Sequence, residues 1–203
     1  MMKLIFLNIS ILFMLNKINM LKFIIQNYIM MMNMILLLMF KFNLLNNKIY
    51  YIYSIDFFSF YMLLLMYWII SLSILSSNMI MMLNMNNKFM LLMILLMTNL
   101  LMFFSSMDLF MFYIYFEISL IPMVILILGW GMQINRIQAS MYMLFYTLFS
   151  SLPLIMVIIK INMNLFVSSM MILKLYNWIY LNNLVYLLMI LSFLLSADWS
   201  CNR

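Results

Sequence analysis

Residues 109–129 read LFMFYIYFEISLIPMVILILG, and this stretch decides the fold class. As a helix rising about 1.5 Å per residue it is long enough to cross the roughly 30 Å of hydrocarbon in a bilayer. Its apolar character is continuous and does not alternate, which selects a helix over the strand of a membrane barrel. Comparable windows recur along the chain, which is 70% hydrophobic and 7% charged, against roughly 45–50% and 25% for a soluble domain. The sequence is therefore that of an all-α, multi-pass transmembrane helix bundle.

Working outward, apolar runs predict spans near Met1–Leu15, Met20–Phe42, Phe57–Ser76, Phe89–Met107, Leu109–Gly129 and Ala139–Lys160. An incomplete seventh is expected from Leu184. Residues 1–195 are thus expected to form one transmembrane domain of about six spans plus part of another. Residues 196–203, SADWSCNR, form an atypical polar tail that carries one of the two Ala, the one Cys and one of the four acids of the chain. Such an abrupt shift is the expectation for a truncated or frame-shifted terminus. Lys3 before a short apolar run gives the first span a signal-peptide flavour, but no small-residue cleavage site follows it.

The segment Asn47–Phe58, NKIYYIYSIDFF, is aromatic and places Asp56 just before the third span. Tyr rings suit the headgroup layer and an acid suits a helix start, so the segment is read as interfacial. Residues 161–180, INMNLFVSSMMILKLYNWIY, are partly polar and are read as a surface helix or a partly exposed connection.

Ten Lys and Arg against four acids give a formal charge of +6. Lys3, Lys41, Lys48, Lys160 and Lys174 lie in one set of alternate connections, and Lys17, Lys22, Lys88 and Arg136 in the other, so the positive-inside count sets no orientation. The basic residues are spread between apolar runs as membrane anchors, whereas nucleic-acid binding needs them clustered. With no His, one Cys (Cys201) and two Gly (Gly129, Gly131), the chain has no evident haem, iron–sulfur or nucleotide site. The thirty Met show no repeated spacing and read as packing and lipid-facing side chains, not copper ligands.

Glu117 is the exception inside the opening stretch. It lies about 12 Å along the helix from Leu109, near mid-depth, where a charge costs at least about 2.5–3.5 kcal/mol. Pro122, five residues on, lacks an N–H, and its ring opposes the carbonyl of Ile118, so a kink with a freed acceptor is expected beside the acid. Intramembrane acids are functional by default, which makes Glu117 the candidate proton-relay residue and Pro122 the helix-kink residue beside it. The alternative is a protonated packing residue next to a proline that only shapes the helix. Gly129-Trp130-Gly131 closes the span, glycine as a C-terminal cap and Trp130 as an interface anchor. In the sixth span Ser140, Thr147 and Ser151 share one face and Pro153 interrupts the ladder. Close helix packing is the first reading of that face and a proton wire the second.

The block FYIYFEISLIPMVILILGW (112–130), followed by RIQAS (136–140) and LFYTLFSSLPL (144–154), closely resembles the subunit 4 family of mitochondrial NADH:ubiquinone oxidoreductase, respiratory complex I. Weaker likeness covers Ile55–Ser77, the family likeness as a whole fades near Phe193, and the chain corresponds to well under half of the family's usual length. Its richness in Met, Ile, Asn, Phe and Lys also looks like a gene of an AT-rich animal mitochondrial genome.

The resemblance implies an antiporter-like subunit of the membrane arm, in the mitochondrial inner membrane, that translocates protons as electrons pass from NADH to ubiquinone. It matches Glu117 to the acid of the family's fifth helix, which in the family pairs with a lysine in a Lys-Met-Pro sequence of the seventh. No lysine stands at that point here, and the family's Pro-Glu before the arginine is Ile134-Asn135. The resemblance further implies that NAD, FMN, iron–sulfur clusters and ubiquinone serve the complex through other subunits, with none bound by this chain. Its partners would be other membrane subunits and the lipid bilayer, not nucleic acid. A free-standing cation/proton antiporter and a purely structural membrane subunit are the competing readings. A lone acid makes a poor ion site for the former, and the sequence shows no inverted repeat.

Overall fold

The computed structural model describes residues 5–10, 21–39, 53–77 and 86–165. Within them lie the helices α1 (residues 5–10), α2 (Leu21–Met39), α3 (Phe57–Ser76), α4 (Asn86–Ser105), α5 (Leu109–Trp130) and α6 (Arg136–Leu165). Among the described residues there is no strand, and one isolated antiparallel bridge joins Tyr53 to Ser106. The expected surface segment beyond Leu165, the seventh span and the polar tail lie outside the described residues, as does most of the first span.

Four of these helices, within α3, α4, α5 and α6, are long and apolar enough to cross a membrane, and α2 carries a shorter apolar stretch at Phe23–Leu38. The chain is an integral membrane protein of all-α class. In α6 the charges of Arg136 and Lys160 are separated by about 36 Å of helix, so they bracket the hydrocarbon layer. This helix extends past the expected Lys160 end to Leu165. The third span has the predicted bounds, and the fifth ends one residue later than expected, at Trp130.

The chain divides into two compact units. The first holds α1 to α4 with Tyr115–Leu126 of α5; the second holds Met107–Ile114 and the chain from Ile127, including α6. In the first unit α3 packs against both α2 and α4. The buried face of α2, Ile25, Ile29, Met32 and Leu36, repeats every three or four residues, the period that brings side chains to one side of a helix. Phe60, Leu63, Tyr67, Ile70 and Ile74 do the same on α3. The opposite side of α3 presents Phe58, Tyr61, Leu65, Trp68 and Leu72, all exposed. An apolar outer stripe of this length belongs against lipid or a partner.

Polar groups fix the register of this unit. Asn8 Nδ2 donates to the Tyr67 hydroxyl at 2.8 Å, and both residues are fully buried. The Ser71 hydroxyl donates to the Trp68 carbonyl at 2.7 Å and also lies 3.5 Å from the Met30 sulfur of α2. At the start of α3, Asp56 is the N-cap, as expected, and its backbone N–H donates to Ser59 Oγ at 2.7 Å.

Candidate functional site: the acid of α5

α5 begins after Asp108, an extended residue whose carbonyl accepts the first helical bond from Phe112 N–H at 2.9 Å. The helix is continuous to Trp130 with Pro122 inside it. The expected proline position is therefore accommodated within one helix, and Pro122 itself is buried. Pro153 sits likewise inside continuous α6.

The end of α5 is capped by glycine, as expected. Gly131 is the C-cap and its N–H donates to the Ile127 carbonyl at 3.0 Å, but its φ of −62° is not left-handed. Space, not conformational freedom, calls for glycine here, because a Cβ at this position would lie 2.5 Å from the Ile127 oxygen. Arg136 then closes the turn, donating from Nη1 to the Gly131 carbonyl at 3.2 Å.

Glu117 is half-buried. Its Oε1 is buried and has no hydrogen-bond partner among the described residues. A carboxyl oxygen out of water and without a donor carries a penalty of about 1–3 kcal/mol or more, so this atom is the polar anomaly of α5. Asn33 Oδ1 and Asn99 Nδ2 are likewise buried without partners in the first unit.

The other face of α5 is held down. Tyr115, Ser119 and Pro122 follow one another at spacings of four and three, and Ser119 and Pro122 are buried. Tyr115 shares a 2.7 Å hydroxyl–hydroxyl hydrogen bond with Tyr53. The segment after Tyr53 is itself tied to the end of α4 by Ser54 N–H donating to the Ser105 carbonyl at 2.9 Å. Phe116 rests near Phe103 of α4, ring centres 6.0 Å apart. Burial, aided by the bond to Tyr115, pushes the Tyr53 hydroxyl up to about 12. Residues two apart on a helix differ by about 200°, so a Tyr115 turned to Tyr53 sets Glu117 on the opposite side. The sequence reading had the aromatic segment around Tyr53 as interfacial but missed this clasp, since period and composition carry no information on a pairing 62 residues apart.

In α6 the hydroxyl face is packed. Ser140 and Ser151 are buried, and Ser140, Thr147 and Ser151 each donate to a carbonyl one turn back, at 2.8, 2.9 and 3.0 Å. Protons committed to the helix's own backbone favour the packing reading over a wire. Among the described residues no group of three or more His, Cys, Asp or Glu comes together as a metal site.

Comparison with known proteins bears on this same block. Residues 106–199 match the family described as NADH:quinone oxidoreductase/Mrp antiporter, TM. The chain is similar to NADH-ubiquinone oxidoreductase chain 4 of Ceratitis capitata, 41% identical over 172 residues that make up 84% of this chain and 38% of that protein. The same-named protein of Locusta migratoria is 48% identical over 57% of this chain and 26% of its own length. That of Lumbricus terrestris is 57% identical over 29% of this chain and 13% of its own. The chain thus spans less than half the length of the curated relatives it matches.

Proposed function

We propose, from the premise that residues 106–199 belong to the NADH:quinone oxidoreductase/Mrp antiporter transmembrane family, that the chain is a membrane-arm subunit of a proton-translocating NADH:ubiquinone oxidoreductase. It would reside in the mitochondrial inner membrane among other membrane subunits, and Glu117 would be its proton relay. A relative matching 84% of the chain is named as chain 4 of that enzyme, which supports the assignment. Electron transfer would take place in partner subunits that hold NAD, FMN, iron–sulfur clusters and ubiquinone.

The observation that carries the role of Glu117 is its buried, unpartnered Oε1 inside a helix built to cross a bilayer. A carboxyl group there is costly in either protonation state unless something nearby compensates it. A cation that approaches favours the carboxylate and a cation that withdraws favours the acid, so movement of charge beside Glu117 is converted into uptake or release of one proton. Pro122 leaves the Ile118 carbonyl without its usual donor and so adds an acceptor at the residue next to Glu117.

Replacing Glu117 by Gln in the full-length subunit of the assembled complex tests the reading, with assembly followed on native gels. Gln keeps the shape and removes the titration, so the number of protons pumped per NADH oxidised should fall. An unchanged ratio in a normally assembled complex would leave Glu117 a packing residue and favour the purely structural reading.

A further inference from the structure

We propose that Tyr53 and Tyr115 are positioning residues for Glu117: their hydroxyl pair is a latch that fixes the depth and rotation of α5. The inference rests on the relay reading of Glu117 and adds to it the part of the molecule that aims the acid.

The geometry is a short chain of contacts. Asp56 caps α3, which anchors one end of the segment 53–56 at the start of that helix. Ser54 N–H holds the segment to the last turn of α4 at 2.9 Å, and Ser54 and Ser105 are both buried. Tyr53 bridges to Ser106 and reaches across to Tyr115 at 2.7 Å. The latch therefore joins the ends of α3 and α4 to a point two residues before the acid. α5 needs such a tie: of its 22 residues, Ser119, Pro122 and Val124 are the buried ones, while Ile118, Ile121, Met123 and Ile125 are exposed. Apolar contacts are non-directional and slide or rotate at little cost on a largely exposed helix. A directional hydroxyl pair does not.

Because residues 115 and 117 differ by about 3 Å in height and about 200° in azimuth, any release of Tyr115 changes both coordinates of the Glu117 carboxyl. Burial makes the Tyr53 hydroxyl hold its proton more tightly than usual. The pair acts as a fixed support and not as a proton carrier.

The test is a double-mutant cycle in the full-length subunit of the reconstituted complex: Y53F, Y115F and the double variant, with E117Q as reference. Protons pumped per NADH and amide hydrogen exchange across residues 115–120 are read together. Each Phe variant should lower the pumping ratio and speed exchange in this stretch by ~2–10-fold, the loss of one net hydrogen bond, and the double variant should match the singles. Normal pumping in both single variants, pumping losses that add in the double, or unchanged exchange would each overturn the latch. If E117Q itself pumps normally, the relay reading falls. If E117Q is impaired while the Phe variants are normal in pumping, the relay stands and the latch alone falls.

Discussion

Asn8 and Tyr67 show what a single polar pair does inside a hydrophobic unit. Both side chains are fully buried and share a 2.8 Å bond, while Asn8 Oδ1 is left over. Removing one partner strands the other: Y67F should cost about 1–3 kcal/mol, whereas N8L combined with Y67F, which removes both polar groups, should be close to neutral. Thermal unfolding of the detergent-solubilised protein distinguishes the two, and equal destabilisation by both would contradict the assignment. Tyr53 makes a prediction in pH. Its hydroxyl titrates at about 12 in place of 10.0, so its contribution is complete below pH about 10 and disappears as pH rises through about 12. The difference in tyrosinate absorbance between wild type and Y53F should therefore show a midpoint near the upper value; a midpoint near 10 would mean that the hydroxyl is neither buried nor bonded to Tyr115 as described. Glu117 was legible from sequence because an acid in an apolar run of span length breaks a simple rule. Its distance from any donor was not, nor was the pairing of Tyr53 with Tyr115, because both depend on which helices approach one another.

Among the elements, the ends of α5 and α6 carry the clearest contrast between what period predicts and what packing decides. Length and apolarity placed α3 at its observed bounds, since Asp56 before the run FFSF is a local start signal. The end of α5 was legible as a glycine cap, but the reason differs: Gly131 is needed for room against Ile127 and not for a left-handed turn. The two glycines therefore separate in a substitution experiment. Gly129 has nothing within 4 Å of a built Cβ, so G129A should be neutral or stabilise by about 0.4–1 kcal/mol. G131A must shift the last turn and should destabilise by about 1–3 kcal/mol. The same melting assay decides it, and equal effects at the two positions would contradict the crowding at Ile127. On the small-residue face of α6, Ser140, Thr147 and Ser151 bond one turn back to their own helix, a local habit of Ser and Thr that sequence does reveal.

For the whole molecule, composition alone gave the class: a chain 70% hydrophobic with exposed apolar stripes such as Phe58, Trp68 and Leu72 is stable only against lipid or other apolar surfaces. The block from Phe112 to Leu154 also carried the resemblance to the family, because it holds the acid, the proline and the Gly-Trp-Gly stop. Which helices form one compact unit was not readable, since all the spans are similarly apolar and any could neighbour any other. In the function we propose, Glu117 takes up and releases a proton as the complex turns over. Difference infrared spectroscopy of the reconstituted complex during NADH-driven turnover tests it at the carboxyl itself. A carboxyl C=O stretching band should appear or vanish between resting and turning-over enzyme and be missing from the E117Q complex; turnover spectra of wild type and E117Q that are identical in the carboxyl region would contradict the account.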